Sequence, residues 1–218
     1  KDAVPIRPVV HYMMGGISTN TQAATTLPGL FAAGECACVS LNGANRLGSN
    51  SLVELLVFGK SAAMSAMDYI KNAPPTNTNA LVQHARESQA RIRELFSRTD
   101  GNESLSGLRK EMMDTMEKNV GIYRTEAGLQ EAVGKIDQLR QRYQKVVLTD
   151  KSNVFNTDLF QVLELGCMLD CASALTVGAL ARKESRGAHQ RLDYVERDDT
   201  NYLRHSMAYY QGLKTPRV

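Results

Sequence analysis

Asn42-Gly43-Ala44-Asn45-Arg46-Leu47-Gly48-Ser49-Asn50-Ser51-Leu52 is a glycine-rich loop running into a helix start. Ser49, Asn50 and Ser51 form an N-cap cluster, and from Leu52 to about Tyr69 apolar residues recur at helical spacing. The first amides of such a helix lack intrahelical partners and carry partial positive charge. They therefore suit an anion or an electron-rich ring. Arg46, inside the loop, adds a planar fork that matches a carboxylate. A capped helix beside a surface arginine is the plainer explanation of this stretch alone, so its neighbours matter.

Upstream, Ile6–Tyr12 reads as a strand entering His11-Tyr12-Met13-Met14-Gly15-Gly16. Paired glycines let backbone approach a flat ligand or simply turn, and His11 at the strand end can donate to a carboxylate. Pro28-Gly29-Leu30-Phe31-Ala32-Ala33-Gly34-Glu35 reads as a short buried strand ending in a Gly-acid pair. A carboxylate at the end of such a strand accepts hydrogen bonds from sugar hydroxyls in nucleotide-cofactor sheets. Three segments of this kind close together in sequence make ordinary packing a poor explanation for all of them.

Downstream, Asn72-Ala73-Pro74-Pro75-Thr76-Asn77-Thr78-Asn79 is the clearest linker, with prolines and turn formers that stop the preceding helix. Beyond it the chain is charged and helix-forming. Helices are expected at about Ala80–Ser97, Leu105–Val120 and Thr125–Val146, the last capped by Thr125 with a stripe of Leu129, Val133, Ile136, Leu139 and Tyr143. Another runs from Asn156-Thr157-Asp158 to about Arg182. Apolar residues extend most of the way round it, which predicts the buried centre of a bundle. From Ser185 the sequence is polar and irregular. The expected fold class is α+β, organised as 1–73, a piece of a nucleotide-cofactor sheet domain; 74–79, linker; 80–182, helical bundle; and 183–218, a tail that stops short.

Of the 218 residues, 43% are hydrophobic and 22% charged, and the net charge is +3. That balance is ordinary for a globular protein and too weak and evenly spread for nucleic-acid binding. No uninterrupted apolar run is long enough to span a bilayer; Leu52–Phe58, for instance, is broken by Glu54. The chain starts at Lys1 without a basic-apolar leader, and is read as part of something larger. Cys36/Cys38 and Cys167/Cys171 lack a usual zinc spacing. Reduced thiols are the plain reading, with tandem disulfides or a metal as alternatives, and Cys167 and Cys171 are expected as small core residues of an apolar helix.

In this order and spacing, H-Y-M-M-G-G, G-L-F-A-A-G-E-C and G-A-N-R-L-G-S-N-S-L resemble the flavoprotein subunit of succinate dehydrogenases and fumarate reductases. The tail agrees: Glu184-Ser185-Arg186-Gly187-Ala188-His189, Glu196-Arg197-Asp198-Asp199 and Asn201-Tyr202-Leu203 resemble that subunit's S-R-G-A-H and R-D-D-x-N-W-L pattern. The resemblance implies a Rossmann-type FAD-binding domain followed by helices. Its implied activity is the interconversion of succinate and fumarate by hydride transfer to or from FAD.

The same resemblance makes His11 and Arg46 the clamp on the dicarboxylate substrate. It places Glu35 on the sugar region of FAD, and Tyr12, Asn50, Ser51 and Leu52 against the flavin. Its implied partners are the N-terminal part of the same subunit, an iron–sulfur subunit and, indirectly, membrane anchor subunits and quinone. The implied location is the cytoplasmic face of the bacterial inner membrane or the mitochondrial matrix side.

Some features depart from the pattern. Asn42 stands where the family usually has histidine, and Tyr202 where tryptophan is common. No G-x-G-x-x-G cradle, flavin-linking histidine or capping domain is present, and the family's proton-shuttling arginine lies in that capping domain. The chain alone is thus expected to be inactive, without bound FAD. L-aspartate oxidase shares the H-Y and G-A-N-R surroundings, but typically reads R-M-A-S-N-S-L where this chain has Arg46-Leu47-Gly48-Ser49. A third reading, compatible with the first, makes residues 80–182 a helical module that docks a partner subunit.

Overall fold

The computed structural model describes residues 3–6, 8–75 and 77–218. Lys1, Arg7 of the expected first strand and Thr76 of the expected linker lie outside the described residues. The chain divides into one unit of residues 1–76 with Arg186–Ala188, and a second of Asn77–Ser185 with His189–Val218.

In the first unit, β1 (Ile17–Ser18) pairs in parallel with β2 (Ala37–Cys38), and α1 spans Asn50–Asn72. The strand expected over Ile6–Tyr12 is not formed among its described residues, and that over Gly29–Glu35 is reduced to one antiparallel bridge between Phe31 and Ala24. A strand exists only as part of a ladder, and among the described residues only Ala24 pairs with the second of these segments. Turn chemistry shapes the rest. The Asn20 side chain accepts from the amides of Gln22 and Ala24.

Helix α1 carries a dense apolar sequence, yet the residue it buries is Glu54, 2% exposed. Leu56, at 76% exposure, and Leu52, Val53, Leu55 and Val57 all face outward. The buried apolar residues of this unit are Ala23, Ala32 and Ala37, too small to make a core of their own.

The second unit is helical: α2 (Thr78–Ser97), α3 (Leu105–Val120), α4 (Glu126–Tyr143), α5 (Thr157–Ala181) and the short α6 (Asp199–Tyr202), with β3 (Tyr123–Arg124) pairing in parallel with β4 (Gln190–Arg191). Side-chain caps set the starts. The Asn77 side chain accepts from Ala80 N, Ser104 from Gly107 N, Thr125 from Gly128 N and Asn156 from Leu159 N. Leu108 and Met112 of α3, Ile136 and Leu139 of α4, and Val162, Leu165 and Leu169 of α5 interlock with Val146 and Leu148 in the main core. At Gly166 a Cβ would lie 2.8 Å from the Tyr143 hydroxyl, so α4 and α5 approach closely there. That hydroxyl donates to Val162 O at 2.9 Å.

Two expectations for α5 are corrected. It is buried along one face rather than all round: Phe160 is 78% exposed, and Cys167 and Cys171 are exposed free thiols rather than core residues. The bundle offers helices α3 and α4 to one side of it, and apolar composition alone does not say how many sides are covered. By length and composition α5 is also apolar enough to cross a membrane, although Asp158, Glu164 and Asp170 interrupt its apolar sequence. Its packed face belongs to a protein core, and its Asp170 pairs with Arg140.

Two buried arginines organise the tail. Arg140 donates to Asp170 and to the carbonyls of Gly212, Leu213 and Lys214, holding the terminal segment against α4 and α5. Arg191, 1% exposed, forks onto Asp193, bonds Glu126 at 2.7 Å and donates to Arg182 O. Fully bonded, these charges withstand burial; left single they would be costly.

Candidate flavin and carboxylate site

The loop before α1 gathers the candidate residues of the first unit. The Arg46 guanidinium stacks over the Tyr12 ring, 4.4 Å from its centroid, and its NH1 donates to Leu47 O at 3.1 Å. Its Nε is buried and has no hydrogen-bond partner among the described residues. A buried guanidinium donor normally has an acceptor, so this one is available to an anion. His11 immediately precedes Tyr12 and is exposed.

Glu35 is tied to the same segment. Its carboxylate accepts from Met13 N at 3.1 Å, bringing the Gly34-Glu35 turn beside the His11–Met13 stretch. Burial pushes the Tyr12 phenol above its ordinary pKa, the carboxylates of Glu54 and Glu35 push it the same way, and Arg46 opposes them. Tyr12 is therefore a neutral phenol at physiological pH.

Glu54 was not singled out as a site residue in the sequence. From α1 its carboxylate accepts from Asn42 Nδ2 at 2.7 Å, while Asn42 Oδ1 accepts from Asn50 Nδ2 at 3.3 Å. The loop's first residue is thus tied to the helix twice. Asparagine at position 42 supplies both a donor and an acceptor without carrying charge. The available signal was the acid that interrupts Leu52–Phe58, since a buried carboxylate in an apolar run needs a partner.

The helix start differs from the expected cap. Ser49 occupies the N-cap position with φ +62° and makes no side-chain cap bond. The amides of α1's first turn, at Asn50, Ser51 and Leu52, are thus not taken up by a serine hydroxyl, although Asn50 N reaches Leu47 O at 3.1 Å and Leu52 N reaches Ser49 O at 3.2 Å. Asn50 spends its side chain on Asn42, and the Leu52 side chain is exposed. The structure thus joins Arg46 to Tyr12, Glu35 to Met13, and Asn50 to Glu54 through Asn42.

Residues 2–52, which include this loop and the start of α1, match the family described as FAD binding domain. Residues 109–218, half the chain, match the family described as fumarate reductase flavoprotein C-term. The chain belongs to the fumarate reductase/succinate dehydrogenase flavoprotein family.

Among its relatives, the fumarate reductase flavoprotein subunit of Haemophilus influenzae is 49% identical over 217 residues, covering 100% of this chain and 36% of that protein. The succinate dehydrogenase flavoprotein subunit of Rickettsia bellii is 40% identical, with 95% and 36% covered. A solved Escherichia coli quinol fumarate reductase superposes with a TM-score of 0.95 at 46% identity, covering 98% of this chain and 37% of that one. The chain spans little more than a third of the length of these relatives.

Proposed function

We propose that this chain is the substrate-clamping and flavin-edge part of a subunit that interconverts succinate and fumarate. The observation that carries this reading is the buried Nε of Arg46, without a hydrogen-bond partner among the described residues, on a guanidinium held over Tyr12. Together with the uncapped start of α1, it fits an FAD and a carboxylate as neighbours in the complete subunit. In this reading Arg46 and His11 hold the two carboxylates of the substrate, and the stacking on Tyr12 limits where the guanidinium fork points.

FAD, when bound, supplies the hydride acceptor and donor chemistry. Glu35 is proposed for its sugar hydroxyls, with Tyr12 and the Asn50–Leu52 helix start against the ring. There, the positive end of the helix favours the electron-rich edge of the reduced form. Glu54, through Asn42 and Asn50, fixes the loop from which Arg46 extends.

The organisation proposed is 1–73 for the flavin and substrate loops and 80–182 as the bundle that helps dock an iron–sulfur subunit, through which electrons pass to quinone at a membrane complex. The outward apolar face of α1 fits cover by the N-terminal part of the same subunit. Higher identity to fumarate reductase than to succinate dehydrogenase flavoproteins favours fumarate reduction as the working direction.

The test is to produce the full-length subunit with its iron–sulfur partner. One flavin per subunit is expected, with fumarate reduction from an artificial donor and succinate oxidation in reverse. The 218 residues alone should purify colourless. A flavin-replete full-length subunit inert to both dicarboxylates would refute the reading.

A further inference from the structure

The Ser185-Arg186-Gly187-Ala188-His189 motif stands out in the sequence, and nothing in the clamp described above uses it. Within the first unit, Ala188 N donates to Ala44 O at 2.9 Å. Gly187 takes φ +56°, and a Cβ there would lie 2.5 Å from Ala44 O, 2.6 Å from Ala44 C and 2.8 Å from Ala44 Cβ. Backbone carbonyl atoms cannot swing aside as a long side chain can, so any residue but glycine would push Ala44 away. Ala44 lies two residues before Arg46, on the far side of Asn45.

Asn42 is already fixed to Glu54 and Asn50, and Leu47 O accepts from Asn50 N at 3.1 Å. The stretch between these anchors, Gly43–Arg46, contains Gly43 with φ +55° and turns sharply. The contact from Gly187 and Ala188 falls in the middle of it.

We infer that Gly187 and Ala188 are positioning residues for the substrate clamp: they hold the Ala44 peptide and thereby set the place of Arg46. The inference rests on the reading of Arg46 as a carboxylate ligand. Neither residue touches substrate. Their effect is on where the guanidinium sits, and a displacement of about 1 Å at such a group is enough to lose up to about a hundredfold in rate.

The experiment uses the full-length subunit with its iron–sulfur partner and malonate as an unreactive dicarboxylate probe. Gly187→Ala should raise the succinate KM and the malonate Kd about tenfold, with flavin content unchanged and kcat less affected. In an Arg46→Lys background the same substitution should change the malonate Kd less than about twofold, because the two act through one contact. Flavin-replete Gly187→Ala with the wild-type Kd, or fully additive effects, would overturn the inference. If Arg46→Lys alone leaves the Kd unchanged, the clamp reading fails first, whatever Gly187 does.

Hydrogen exchange on the unsubstituted protein provides a reading independent of whether the variants fold. Malonate should slow exchange in peptides covering 43–47 and 186–190 together. Protection of 43–47 with no change at 186–190 would equally overturn the inference.

Discussion

The guanidinium of Arg46 rests on the face of Tyr12, with 4.4 Å between its central carbon and the ring centroid. Stacking of this kind contributes about 0.5–1 kcal/mol at partly exposed sites and leaves the N–H fork free to bond in its own plane. Tyr12→Phe keeps the ring face and should leave the succinate KM of the full-length subunit within about twofold of wild type. Tyr12→Leu removes the face and should raise KM about two- to fivefold at normal flavin content. Equal KM values for the two variants would mean that the ring does not orient Arg46.

Arg191 contributes to the acid stability of the helical unit. Its hydrogen bonds hold the Asp193 carboxyl down at about 2, with burial opposing and the Glu126 amide assisting. A depressed carboxyl contributes stability that is present above its unfolded pKa, about 4, and is lost as pH falls through the folded value. The Asp193 contribution should therefore be intact down to about pH 4 and be lost progressively toward pH 2. Asp193→Asn should flatten that dependence in acid titrations followed by circular dichroism. Arg191→Ala strands Asp193 and Glu126, and should cost about 3–5 kcal/mol in urea unfolding at pH 7. A loss under about 1 kcal/mol would show that the arginine is not supporting the tail.

His189 adds a second pH window. Its Nδ1 lies 2.8 Å from Arg124 NH1, which can only donate, and its Nε2 lies 3.0 Å from Arg182 O, which can only accept. The ring is therefore neutral with its proton on Nε2. Burial lowers its pKa most, the Arg182 carbonyl opposes, and the charges of Arg124, Arg191 and Arg182 lower it further. Because the folded pKa lies below the unfolded value of about 6.5, the unfolded state takes up the proton first and stability declines as pH drops below that point. Thermal melts from pH 7.5 to 5.5 should show a falling Tm in the wild type and a flatter profile in His189→Gln. Identical profiles would assign the pH dependence to other groups.

The helices were legible because their start signals are local. Thr125 caps α4 as read from the sequence, α5 begins at the expected Asn156–Asp158 stretch, and Leu105–Val120 is helical over the residues expected. The strands were not legible, because a strand depends on neighbours that can be distant in sequence; among the described residues Phe31 forms a β-bridge only with Ala24. Burial misled for the same reason. The apolar sequences of α1 and α5 state that cover is wanted, whereas Leu56 and Phe160 face outward in the chain as it stands.

At the candidate site, Arg46 and Tyr12 were each visible as residue types, but their stacking was not. Glu54 was visible only as an interruption, and its tie to Asn42 spans twelve positions along the chain.

The central claim is that Arg46 clamps a substrate carboxylate beside the flavin, and Arg46→Lys in the full-length subunit with its iron–sulfur partner tests it most directly. Lysine keeps the charge but not the planar fork or the Nε donor. A charge-assisted hydrogen bond of this kind contributes about 1.5–3 kcal/mol, so kcat/KM for succinate should fall by roughly one to two decades while flavin content stays normal. His11→Ala should impair turnover in the same sense, whereas Glu35→Ala should lose flavin first. Wild-type kcat/KM in a flavin-replete Arg46→Lys enzyme would contradict the account and return Arg46 to the role of a structural arginine stacked on Tyr12.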